Sequence, residues 1–127
     1  MGTAQDAFEE LRGPTRSLRA ASSGAWAGFA SMHDAAMADG ALARKTKELI
    51  ALAIAVTKQC DGCIVSHAKG AARYGATPEE VAEALSVALV MNGGPATTYG
   101  PRAWAAYQEF VPAASASGRT GDHPCLA

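Results

Sequence analysis

Apolar residues recur along this chain at the three- and four-residue steps of buried helix faces, and no segment alternates apolar and polar over strand length. The first start signal is Asp6 with Glu9 three positions later, an acidic relative of a capping box. Phe8 and Leu11 give that short helix an apolar edge, and Gly13-Pro14 is expected to end it. A second helix is predicted over residues 16–38. In it Leu18, Ala25, Phe29, Met32 and Ala36 repeat at the period of one buried face, and Asp39-Gly40 closes it. A third helix is predicted over 42–56. Its first half, LARKTKE, is charged; its second half, LIALAIAV, is apolar on every side. A helix apolar all round is buried in a large core or between subunits. In a chain of 127 residues the second option carries weight.

Thr57-Lys58-Gln59 breaks the apolar run, and a fourth helix is predicted over 60–74, ended by Gly75. The fifth has the clearest start. Thr77 is a good N-cap, Pro78 fits the first helical position, and Glu80 completes a capping box. Val81, Leu85, Ala88 and Leu89 form its stripe, and Asn92-Gly93-Gly94-Pro95 interrupts it. A last helix over 96–110 carries Tyr99, Trp104, Tyr107 and Phe110, with Pro101 either starting or kinking it. From Pro112 onward periodicity stops. The expected organisation is therefore a helical domain over 1–111 and a C-terminal tail over 112–127. The fold class is all-α, a bundle of five to six helices.

Composition narrows the function. The chain is rich in alanine, with only two Trp, three Tyr and three Phe. Alanine favours helix and has little to offer a sheet. The net charge of −1 argues against a nucleic-acid partner, which usually meets a basic excess. No apolar run approaches the roughly 20 residues that span a bilayer. The first residues, MGTAQDAFEELRG, lack the basic start and apolar stretch of a signal peptide, so a cytoplasmic protein is expected. In a reducing compartment an odd count of three cysteines suggests reactive or metal-binding thiols more than structural bridges.

The candidate chemistry lies in CDGCIVSH. Cys60, Cys63 and His67 are three and then four apart, so on a helix they share one face. Cys60 falls at a predicted helix start, where free backbone N–H groups carry a partial positive charge that favours a thiolate. Lys58 adds a positive charge nearby. His67 suits the role of base toward Cys63, or of a cation beside its thiolate. Two cysteines at this spacing also close a disulfide: one thiolate is oxidised to a sulfenic acid, and the other condenses with it. Other readings stay open here. Cys60, Cys63 and His67 are three ligands toward a zinc site that needs a fourth, and free cysteines also pack as inert core residues. A thioredoxin fold is excluded, because no strand precedes the motif. Glu48, twelve residues before Cys60, reads either as a solvated helix-face residue or as a partly desolvated base. His33 lies on an apolar helix face with Trp26 and Met37 and reads as a packing histidine. Trp104, Tyr99 and Tyr107 read as core or interface aromatics. His123 and Cys125 fall in the tail and receive no role.

The stretch from about Asp39 to Gly94, and more loosely from Phe29 to Phe110, closely resembles the carboxymuconolactone decarboxylase family and, within it, the AhpD-like alkylhydroperoxidase branch. The signature of that branch is a Glu, eleven residues, Cys-x-x-Cys, three residues, then His. This chain has Glu48, Cys60, Cys63 and His67 at those spacings. The resemblance implies an all-helical bundle and a homo-oligomer, a trimer or hexamer. It implies a peroxidatic Cys63, a resolving Cys60, and a proton relay through His67 and Glu48, with no cofactor and no metal. It implies a hydroperoxide substrate and an external dithiol donor such as a lipoyl protein. Peroxide reductases of that branch carry a further His just before the second cysteine; this chain has Gly62, so its relay is shorter. Two other functions remain on the sequence. One is a cofactor-free lyase using Glu48 and His67. The other is a non-catalytic oligomer that binds zinc or senses redox state.

Overall fold

The computed structural model describes residues 3–117 as six α-helices, and no strand occurs among the described residues. They are α1 (Ala4–Ala21), α2 (Ser23–Met37), α3 (Arg44–Lys58), α4 (Asp61–Arg73), α5 (Pro78–Asn92) and α6 (Ala96–Ser117). The all-α expectation holds. Residues 118–127, with His123, Cys125 and most of the expected tail, lie outside the described residues.

α4 is the centre of the bundle, packed against α3 on one side and α6 on the other, while α5 closes the layer against α3 and α6. Its buried face is Ile64, Val65, Ser66, Ala68, Gly70, Ala71 and Ala72. Small residues let neighbouring helices approach closely, and interaxial distance follows side-chain size. Leu52, Ile64 and Val81 are almost wholly withdrawn from water, each contributing about 1.5–3 kcal/mol by burial. Ala88, Ala103 and Ala106 complete the core with Tyr107 and Phe110. The buried Tyr107 hydroxyl donates to the Ala76 carbonyl at 2.6 Å, which ties α6 to the turn before α5.

Several helix limits differ from the sequence reading, for local reasons. α1 starts at an N-cap Thr3 with Asp6 completing the capping box, so Asp6 is the third helical residue and not the cap. Gly13-Pro14 does not end α1; Pro14 sits inside it. This segment is solvent-exposed, so water can serve the carbonyl that loses its partner. The break falls instead at Ser22, whose non-helical backbone (φ −134°, ψ 51°) separates α1 from α2. The stripe predicted to be buried along residues 16–38 faces outward in the single subunit: Leu18, which falls on α1, and Phe29 and Met32 on α2 are exposed, and α2 has no fully buried residue. The inward residues are Trp26, Ala30, His33 and Met37, all half-buried. The same helix pattern thus has two apolar faces, and one chain covers only one of them. In α3, Leu52, Ala55 and Val56 are buried while Ile50 and Ile54 are exposed. Thr77, Pro78 and Glu80 start α5 as read, and Val81, Leu85 and Ala88 turn inward while Leu89 is exposed. Pro101 lies inside α6, which runs on past Pro112 to Ser117. No helix among the described residues is long and apolar enough to cross a membrane.

Candidate active site

The turn between α3 and α4 places the cysteines. Gln59 ends α3 in the left-handed conformation (φ 53°), and its N–H donates to the Val56 carbonyl at 3.1 Å. The chain reverses there and starts α4 at once, with Cys60 as N-cap. Cys60 and Cys63 are joined as a disulfide, with Cα atoms 5.2 Å apart. The Cys63 N–H donates to Cys60 Sγ at 3.3 Å, so the sulfur takes the place usually held by a Ser or Asp oxygen. Both cysteines are half-buried. The helix N-terminus therefore supplies partial positive charge to both sulfurs. Asp61, the next residue, opposes this charge, but Arg102 engages both of its oxygens at 3.0 and 3.2 Å.

One turn further along α4, His67 faces α3. Its Nδ1 lies 2.8 Å from Glu48 Oε1. Glu48 is 0% exposed, and its other oxygen accepts from Arg44 Nε at 2.7 Å. Arg44 in turn lies over the Tyr74 ring, 4.4 Å from its centroid. Glu48 is thus a buried carboxylate between a guanidinium and an imidazole, not a solvated helix-face residue. With Nδ1 engaged by Glu48, the distal nitrogen Nε2 is the one that remains on the far side of the ring. Cys63, four residues earlier, lies on the same face of α4 as His67.

Two residues that the sequence reading passed over, Arg44 and Gly70, complete the arrangement together with His33, which in sequence reads as a packing histidine. Arg44 is the second partner of Glu48, four positions before it on α3. Gly70 leaves the space that the Glu48 carboxyl group occupies: a Cβ on Gly70 would collide with that group. A glycine in the middle of a predicted helix was the available signal. His33 lies nearly parallel to His67, with ring centroids 6.4 Å apart and planes at 23°. Among the described residues, no group of three or more His, Cys, Asp or Glu is arranged to hold a metal ion. A groove of about 530 Å³ between α1, α4 and α6 is lined by residues such as Ala4, Ile64, Val65 and Ala105, and does not include the cysteines, Glu48 or His67.

Residues 25–106 match the model of the carboxymuconolactone decarboxylase family. The chain belongs to that family. It is 44% identical over 82 residues to the "Uncharacterized protein 4 in cox locus" of Paracoccus denitrificans, covering 65% of this chain and 74% of that one. It is 43% identical over 81 residues to an uncharacterized protein of Cupriavidus necator, covering 64% and 72%. Among solved structures it resembles apo-lpg0406, a carboxymuconolactone decarboxylase family protein from Legionella pneumophila, with a TM-score of 0.82 and 40% identity over 85% of this chain and 96% of that one.

Proposed function

We propose that this family member is a thiol-dependent hydroperoxide reductase of the AhpD-like kind. The observation that supports it most is the pairing of the buried Glu48 on α3 with His67, 2.8 Å apart, where His67 shares one face of α4 with the cysteine pair at that helix's N-terminus. An acid–base pair on the helix face of two thiols suits proton transfer during thiol oxidation. In the reduced protein His67 takes the proton of Cys63, and Glu48 stabilises the imidazolium that forms. The Cys63 thiolate attacks the terminal oxygen of the hydroperoxide; the O–O bond breaks, an alcohol leaves with a proton from His67, and Cys63 becomes a sulfenic acid. The Cys60 thiol attacks that sulfur, water leaves, and the disulfide closes. An external dithiol, such as a lipoyl group, returns two electrons and two protons. Attack on Cys63 Sγ would expel Cys60 as a thiolate, and the Cys63 N–H directed at Cys60 Sγ favours that leaving group. The subunit works in a homo-oligomer that covers the outward stripe of α2.

Mixing the reduced protein with an alkyl hydroperoxide tests this. Two thiols per subunit should be consumed in proportion to the alcohol formed, and Cys63→Ser should abolish it. Reduction by Cys63→Ser as fast as the parent sinks the mechanism. Turnover of a lactone acid that survives replacing both cysteines by Ser would instead make the protein a lyase.

A further inference from the structure

The hydrogen bond to Glu48 fixes one atom of the His67 ring but not its plane. The χ2 torsion of a histidine is broad, so a ring held at one nitrogen keeps freedom to swing. Its Nε2 would then point toward Cys63 only part of the time. The structure supplies a second restraint. His33, with its side chain 9% exposed, lays its ring beside that of His67 at 6.4 Å and 23°, within the range of aromatic pairs. Phe29, one turn earlier on α2, also lies beside His33, with centroids 6.4 Å apart and planes tilted by 36°.

The helix that carries His33 is itself tied to the helix that carries Glu48. Lys47 Nζ donates to the carbonyls of Ala36 and Ala38 at 2.8 and 2.6 Å, at the C-terminal end of α2. Asp39 Oδ1 accepts from the Arg44 N–H at 2.6 Å, at the start of α3. Both restraints on His67 therefore come from one continuous piece of framework, 33–48. α2 buries no residue fully, so His33 is where it meets the chemistry.

We propose that His33 is a positioning residue for His67: its ring fixes the plane of the His67 imidazole, so that Nε2 faces Cys63 while Glu48 holds Nδ1. The role rests on the reading of His67 as the partner of Cys63, but not on peroxide being the substrate. The charged and titratable groups around the pair are Glu48 and Arg44 from α3, Cys60 and Cys63 from α4, and Asp34, 3.8 Å from His33 Nδ1 on α2.

The test is the rate at which iodoacetamide alkylates Cys63 in the reduced protein between pH 5 and 9, roughly the range over which imidazoles and thiols titrate. The comparison is between the parent, His33→Ala and His33→Phe, each checked by its thermal midpoint. Phe keeps a flat ring and removes the titratable nitrogens. His33→Ala should lower the rate at neutral pH about tenfold, a size within the cost of misplacing a reacting group, and should move the pH profile toward that of a free thiol. His33→Phe should restore the parent rate and profile to within about threefold. Equal rates in all three proteins would overturn the proposal. So would an equal loss in both variants, since His33 would then be moving protons itself. Failure of the parent to consume peroxide would sink the peroxidase reading while leaving this comparison intact.

Discussion

Gly70 and Glu48 occupy one another's space: the carboxyl group of Glu48 rests where a side chain on Gly70 would begin. Gly70 is one turn after His67 on α4, so the vacancy at one position and the hydrogen bond at the other jointly place the carboxylate. Gly70→Ala should show which force wins. Helix propensity alone would favour Ala by about 0.5–1 kcal/mol. Pushing a buried carboxylate off its two partners should cost more, about 1–3 kcal/mol as in other overpacked cores. Denaturant unfolding should therefore show net destabilisation, and Cys63 alkylation should slow. A more stable variant with unchanged thiol reactivity would contradict this packing.

Glu48→Gln keeps the shape and removes the charge. An amide has one oxygen; if it keeps Arg44 Nε as its donor, its NH2 group faces His67 Nδ1, which must then accept, and the tautomer with a proton-accepting Nε2 is lost. The expected loss is about 1–3 kcal/mol of stability, with slower alkylation of Cys63. Glu48→Ala should cost more, yet stay below the roughly 3–5 kcal/mol of a fully buried broken pair, because the side chains of Arg44 and His67 retain some contact with water. A neutral Glu48→Gln would show that the pair does not matter to the fold or the thiol.

The chain's fold class was legible because helix punctuation is local. Thr77-Pro78 with Glu80 set the start of α5, and Cys60, Cys63 and His67 fell on one face of a helix because spacing alone decides that. What sequence could not show was which of two apolar faces on α2 turns inward. Phe29 and Met32 belong to the stronger stripe, which the sequence extends back to Leu18 on α1, but tertiary contact selects Trp26, Ala30, His33 and Met37. The status of Glu48 was hidden for the same reason. Its burial depends on the glycine of another helix, 22 positions away, and its second partner, Arg44, looked like one more residue in a charged stretch. Pro14 misled because a proline inside an exposed helix costs stability without stopping it.

The capping boxes carry a pH signature. Hydrogen bonds from the Thr77 backbone, followed by Lys45, hold the Glu80 carboxyl below its ordinary 4.5, and those from Thr3 hold Asp6 below 3.8. Each carboxyl is more acidic folded than unfolded. Its contribution is present above the unfolded value and is lost as pH falls through the folded one. The starts of α1 and α5 should therefore fray on acidification, and Glu80→Gln should flatten the acid limb of the stability–pH curve. An acid limb identical to the parent's would show that Glu80 does not contribute to it.

Leu18 and Met32 are 56% and 63% exposed in the single subunit, and Val90 and Met91 on α5 reach 82% and 78%. The proposed oligomer would cover apolar surface of this kind. Light scattering should give a mass that is a multiple of the 13.0 kDa subunit, as a trimer or hexamer would. Met32→Lys should lower it without unfolding the chain. A parent protein that is monomeric at working concentration would remove the oligomer from the proposal.

The central claim is that Cys63 attacks and Cys60 resolves. Its most direct test is mass spectrometry of Cys60→Ser treated with a hydroperoxide in the presence of a sulfenic-acid trap. Without its resolving partner, Cys63 should accumulate as a trapped sulfenic acid at one per subunit, while Cys63→Ser should leave Cys60 unmodified. An adduct on Cys60 in Cys63→Ser, with none on Cys63 in Cys60→Ser, would reverse the roles and contradict the account.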